Sequence, residues 1–140
     1  MKTMKIGTVL CTCGNSLKNI DWEELRGFIE SKNNDGICIV HNNACSKQGK
    51  DELKEILMKE RPDRIVFGGC TPKTAGYLFE DMLKEVGISP FQIIGANLRE
   101  HVSWVTDDRV KGTQKAKALV LGAYEKAKHD ISVEQYRIPI

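Results

Sequence analysis

Four times along this chain a short run of apolar and β-branched residues gives way to a longer stretch, mostly amphipathic and helical. That alternation constrains the fold more than any other feature. KIGTVL (5–10) reads as a first strand, and its apolar residues do not strictly alternate, which predicts burial on both faces. DWEELRGFIESK (21–32) reads as a helix capped by Asp21 with Glu24 three residues on, with Trp22, Leu25 and Phe28/Ile29 on one face. Gly36 ends the connection to a second strand, ICIV (37–40). A second helix follows over about 48–60 with Leu53, Ile56 and Leu57 inward, and Pro62 stops it before RIVFGG (64–69), the third strand. Thr71-Pro72 opens a third helix through Val86, proline suiting the first helical position, with Tyr77, Leu78 and Met82 expected on its buried side. FQIIGAN (91–97) reads as the fourth strand, and an Ala/Lys-rich last helix runs over roughly 110–128.

Strands that alternate with helices through short connections imply a parallel sheet with right-handed crossovers. The expected fold class is therefore α/β: a single three-layer αβα domain with a four-stranded, mostly parallel sheet. Its flavodoxin/Rossmann-like strand order would be 2-1-3-4. Residues 1–130 would form this domain; 131–140, with strand-like composition in SVEQYRIPI, would be a tail or linker. The 140 residues suffice for one core and are too few for two. A net charge of +2, with lysines and acids interspersed, argues against a nucleic-acid partner. No apolar run approaches the ~18 residues that span a bilayer, and MKTMKIGTVL lacks a signal-peptide layout, so no membrane association and a cytoplasmic location are expected.

In a reducing compartment five cysteines point away from a disulfide framework and toward metal binding, redox work or burial. Cys11 and Cys13, in CTCGNS, follow the first strand; Cys45, in HNNACSKQGK, follows the second; Cys70, in GGCTPK, follows the third. In an open parallel sheet these positions lie on one carboxyl edge, where such folds bind ligands. Four thiols distant in sequence would converge there. Cys38, inside the second strand, reads as a small buried hydrophobe. Four thiolates suit a tetrahedral zinc or an iron–sulfur cluster. One C-x-C hook and two isolated cysteines favour a larger body reached from several loops; four unconnected thiols remain the plain alternative.

Around the thiols, Gly14, Gly49, Gly68 and Gly69 would allow close backbone approach, or simply serve tight turns. Ser46 and Thr71 stand where the following helices begin, whose N–H groups are suited to donate to sulfur. In ANLREHVSWV (96–105), Arg99 would offset negative charge and Trp104 would exclude water; alternatively Arg99 pairs with a carboxylate and Trp104 packs in the core. His41 is either a ligand or a hydrogen-bonded loop residue, and His129 a last-turn cation.

CTCGNS, NNACSKQGKDELKEIL, GGCTPKT and NLREHVSWV followed by KAKALV occur in an order that resembles the N-terminal domain of the heterodisulfide reductase A subunit and its relatives. The resemblance implies one 4Fe–4S cluster on Cys11, Cys13, Cys45 and Cys70. It also implies a place beside an FAD-binding, thioredoxin-reductase-like domain, with EQYRIPI as the link to it. Partners would be a flavoprotein or other subunits of such an enzyme, with room for a homodimer. The chain would relay electrons rather than act as a catalyst alone. Two departures stand out. No G-x-G-x-x-G fingerprint is present, so no FAD is expected in this chain; and Val102 occupies a position where some relatives carry cysteine. Two other readings remain: a thiol/disulfide oxidoreductase using Cys11 or Cys13 as a low-pKa nucleophile, and a metal-free interaction or scaffold domain.

Overall fold

The computed structural model describes residues 3–33, 35–131, 133 and 136–140. Its strands are β1 (Ile6–Cys11), β2 (Ile37–His41), β3 (Arg64–Gly69) and β4 (Ile93–Asn97), and its helices α1 (Trp22–Lys32), α2 (Lys47–Glu60), α3 (Pro72–Glu85) and α4 (Arg109–His129). The strands pair β2-β1-β3-β4, every pair parallel. The architecture is the expected α/β sheet in the expected order, wholly parallel rather than mostly so.

Local chemistry explains the helix boundaries. The Asp21 side chain accepts from Glu24 N at the start of α1, Ser46 from Gly49 N at α2, and Asp108 from Lys111 N at α4, each meeting an N–H that has no partner within the helix. At the far end of α2, Arg61 turns into the left-handed region (φ 47°), and Pro62 follows. Gly49 is required where it stands: a Cβ there would lie 2.2 Å from the Asn43 carbonyl oxygen, so only glycine lets α2 start this close to the loop that precedes it.

Two apolar layers hold the sheet. On one face, Ile6, Leu10 and Val66 pack with Leu25 and Ile29 of α1 and Ala116 and Val120 of α4. On the other, Val9, Ile65 and Phe67 pack with Leu53 and Leu57 of α2 and Phe79, Met82 and Leu83 of α3. Each fully buried leucine in these layers contributes roughly 2 kcal/mol through removal from water.

Three expectations need correction. Tyr77 is 80% exposed; the buried face of α3 runs through Phe79, Met82 and Leu83, and at about 100° per residue Tyr77 lies about 140° round from Met82. Phe91 and Gln92 do not open the fourth strand: they belong to a 3-10 turn, Pro90–Gln92, closed by a reciprocal capping box between Ser89 and Gln92. The loop after β4 contains a π-helical turn, Arg99–Ser103. Of the tail, residues 132, 134 and 135 lie outside the described residues; those described carry neither helix nor strand.

Candidate functional site

Strand register builds the carboxyl edge directly. Cys11 pairs with His41 across β1 and β2, Leu10 with Gly68 across β1 and β3, and Gly69 with Asn97 across β3 and β4. His41, Cys11, Gly69 and Asn97 therefore stand level at the strand ends, and the cysteines sit on or just past that line.

Backbone bonds then join the loops. Thr12 N donates to His41 O at 2.9 Å and Gly14 N to Asn42 O at 2.6 Å, carrying the β1–β2 pairing beyond the sheet. The buried Thr12 hydroxyl donates to Asn42 Oδ1 at 2.7 Å. Leu98 N donates to Gly69 O at 2.8 Å, tying the residue before Cys70 to the start of the π turn. That turn grips the first loop, because Lys18 N donates to Ser103 Oγ at 2.8 Å and Asn19 Nδ2 to Thr106 O at 2.7 Å. Within the first loop, Cys13, Gly14 and Asn15 are consecutive residues in the left-handed region, with φ of 55°, 66° and 61°. Two of these are not glycine, a conformation that persists only where surrounding structure enforces it.

Thiol placement follows. Cys11 and Cys70 are buried and belong to the core layer under α2 and α3, whereas the turn at Cys13 swings that half-buried side chain toward the α1/α4 layer. Cys45 is exposed. Ala44 N donates to Cys11 Sγ at 3.4 Å, and the Cys45 thiol donates to Asn43 Oδ1 at 3.6 Å. A Cβ on Gly69 would meet Cys11 Cβ at 3.2 Å, so glycine leaves the thiol its place. The Arg99 guanidinium donates to Cys13 Sγ.

Burial pushes the Cys70 thiol above its ordinary pKa, Arg99 pulls it back, and the charges of Cys13, Cys11 and Cys45 raise it further. Burial also raises the Cys11 thiol, opposed by the Ala44 and Cys13 backbone N–H groups and reinforced by the charges of Cys13 and Cys45. Four thiols from three loops thus share one electrostatic neighbourhood, with one guanidinium beside them. A buried thiol with a raised pKa is a poor attacking nucleophile, which weighs against Cys11 in that role. Cys38 lies apart in β2, where burial pushes its thiol up to about 12.

Among the described residues no three or more His, Cys, Asp or Glu side chains are gathered for a single metal ion. A mononuclear zinc draws its sulfurs to ~2.3 Å from one centre, whereas a cluster takes them from several directions. The donors on this edge are all sulfur, a set that both a zinc site and an iron–sulfur cluster take.

Other expected residues have definite places. Gly14 is exposed, and a Cβ there would meet nothing within 4 Å. The Ser46 hydroxyl is engaged in its own helix start, accepting from Gly49 N and donating to Asn43 O at 2.8 Å. Thr71 caps α3 by position, without a side-chain cap bond. Trp104 is 70% exposed, which corrects its packing in the core, and its backbone N–H bonds Arg99 O, one turn from the cysteine-bound arginine. Arg99 meets sulfur rather than a carboxylate. His41, the last residue of β2, is hydrogen-bonded at both ring nitrogens: Nδ1 accepts from Asn43 N at 3.0 Å, so Nε2 carries the proton donated to Glu52 at 2.8 Å. Val102 is fully buried in the α1/α4 layer. Thr12 and Asn42 were not singled out from sequence, although a threonine between the cysteines and an Asn-Asn pair before Cys45 are loop-forming signals.

No protein-family model matches the chain. It is 35% identical over 133 residues to the iron-sulfur A subunit of the CoB–CoM heterodisulfide reductase of Methanocaldococcus jannaschii, a match covering 94% of this chain and 20% of that protein. It is 31% identical over 130 residues to the A subunit of the H(2)/formate:CoB-CoM heterodisulfide,ferredoxin reductase of Methanococcus maripaludis, covering 91% and 20%. With the A subunit of the ferredoxin:CoB-CoM heterodisulfide reductase of Methanosarcina acetivorans the identity is 28% over 138 residues, covering 97% and 17%. The chain spans about a fifth of the length of the curated relatives it matches.

Proposed function

Since nearly the whole chain is related to one segment of the heterodisulfide reductase A subunit, we propose that it is an electron-transfer module holding one 4Fe–4S cluster on Cys11, Cys13, Cys45 and Cys70. The observation that carries this reading is that these four thiols stand at or just past the carboxyl ends of β1, β2 and β3, with Arg99 on Cys13. The name of the Methanocaldococcus relative, which includes the words iron-sulfur, supports the same reading. When bound, the cluster supplies one-electron redox chemistry.

The chain's own residues do the rest. Cys11 and Cys70 anchor the buried side and Cys45 the exposed side. Arg99 places a fixed positive charge at the sulfur of Cys13, and the left-handed turn at 13–15 keeps that sulfur off the face occupied by Cys11. Residues 1–130 are the module and 131–140 its tail or connection. It acts in the cytoplasm, exchanging electrons with a flavoprotein or other subunits of a heterodisulfide-reductase-like enzyme, and binds no FAD itself. Among the described residues no helix is long and apolar enough to cross a membrane. Thiol–disulfide exchange led by Cys11 is disfavoured by the burial of that thiol.

The test is a potentiometric titration of the anaerobically reconstituted chain beside Arg99→Gln and Cys38→Ser. The expected result is a reversible one-electron wave that moves to more negative potential in Arg99→Gln, because a cation that favours the reduced state has been removed, and stays in place in Cys38→Ser. Iron-loaded protein with no reversible wave would overturn the reading.

A further inference from the structure

Cys11 and Cys13 stand two residues apart, and in a strand that spacing points both side chains to one face. The molecule does the opposite. Cys11 lies in the layer under α2 and α3, whereas Cys13 packs toward the α1/α4 layer, where the Arg99 guanidinium meets its sulfur. The reversal is made by Cys13, Gly14 and Asn15, all in the left-handed region, and for the two that are not glycine that backbone is unfavourable. Such a conformation persists only where neighbouring groups hold it.

Thr12 stands where the holding groups converge. It is 6% exposed, it separates the two thiols, and its hydroxyl bonds neither sulfur. The hydroxyl donates to Asn42 Oδ1 at 2.7 Å, the nearest of its acceptors, and accepts from Asn15 N at 3.3 Å. One buried oxygen thereby joins the loop after β2 to the last residue of the left-handed turn. The backbone closes around the same point: Thr12 N donates to His41 O at 2.9 Å, Gly14 N to Asn42 O at 2.6 Å, and Leu17 N to Thr12 O at 3.3 Å. Valine would match threonine in shape, but it would leave the Asn15 N–H and the Asn42 amide oxygen without this partner.

We propose that Thr12 is the positioning residue of the C-x-C pair. Its hydroxyl, held between Asn42 and Asn15, maintains the turn that delivers Cys13 to Arg99 on the side opposite Cys11, so that the two thiols grip one inorganic group from two directions. Thr12 acts through Cys13 and touches no redox centre itself. This inference rests on the cluster reading above for what is gripped, and on the loop geometry alone for how Cys13 is held.

The test compares the wild-type chain with Thr12→Val, Thr12→Ser and Arg99→Gln. In metal-free protein, amide hydrogen exchange at Gly14 and Asn15 is expected to rise about tenfold in Thr12→Val, with exchange along β3 unchanged as the sign of an intact fold. After anaerobic reconstitution, the reduction potential of Thr12→Val is expected to move to more negative values, as in Arg99→Gln, since both leave the Cys13 sulfur without its cation. The two changes combined should move it no further than the larger one alone. Thr12→Ser, which keeps the hydroxyl, should match the wild type in both readouts. Wild-type exchange at Gly14 and Asn15 in Thr12→Val, a wild-type potential in that variant, or additive shifts in the double variant would overturn the proposal. A wild type that takes up no iron would instead sink the cluster reading, while the exchange rates still decide whether Thr12 holds the turn.

Discussion

At the amino end of the sheet, groups left over by the strands are met by side chains. Asn33 Nδ2 donates to the Ile6 carbonyl at 2.9 Å, the Tyr124 hydroxyl donates to Asn33 Oδ1 at 3.1 Å, and Asp63 accepts from Lys5 N at 2.8 Å while Lys5 Nζ pairs with Glu60. At the carboxyl end the loops are as well connected, yet the connections hold four free thiols, a guanidinium on sulfur, a π turn and three non-glycine residues in the left-handed region, Cys13, Asn15 and Asn19. One end spends its hydrogen bonds on closure, the other on holding reactive side chains in an unfavourable backbone. Stability and site chemistry are thus separated by the length of the strands, and changes at one end should leave the other largely intact.

The sharpest way to break that separation is Gly36→Ala. Its Cβ would fall 2.1 Å from the Ile6 carbonyl oxygen and 2.0 Å from Asn33 Nδ2, so the amino end must shift. A loss of about 3 kcal/mol in denaturant unfolding is expected, with iron uptake per folded chain unchanged. Asn33→Ala should cost about 2 kcal/mol by leaving the buried Ile6 carbonyl without its side-chain partner, again with no effect on uptake. At the other end, Asn15→Ala places an ordinary side chain at φ 61° and should cost about 1 kcal/mol, whereas Asn15→Gly should not; equal losses in both would assign the effect to the Asn15 amide instead. The smallest effect is in pH dependence. Hydrogen bonding and charge from Lys5 hold the Glu60 carboxyl below its usual 4.5, so its contribution is complete above that pH and is lost as pH falls through the lowered folded value. Lys5→Met should therefore flatten the acid limb of the stability profile; an unchanged limb would remove Glu60 from the account.

Much of the architecture was legible because it is dictated locally. Strand-like runs, the Asp21 cap, Pro72 at a helix start and short connections lead to a parallel 2-1-3-4 sheet, and the carboxyl-edge rule then puts four cysteines at or past the strand ends. What escaped is decided over long distances. The π turn depends on Leu98 bonding Gly69 and on Ser103 bonding Lys18, contacts spanning 85 residues in the latter case. The split of the C-x-C pair between the two core layers depends on the left-handed turn at Cys13, which no propensity favours. Arg99 was a candidate by its strand-end position, but its sulfur partner needed the folded loops. Tyr77, an aromatic residue beside Leu78 and Phe79, suggests burial on composition alone, whereas the helix angle sends it to solvent.

The most direct test of the central claim is anaerobic iron and acid-labile sulfide quantification, with a visible spectrum, on wild type and Cys45→Ser. About four irons per chain and a broad band bleached by dithionite are expected for the wild type, both strongly reduced in Cys45→Ser. A colourless wild type carrying zinc or no metal, or a variant that loads iron as well as the wild type, would contradict it.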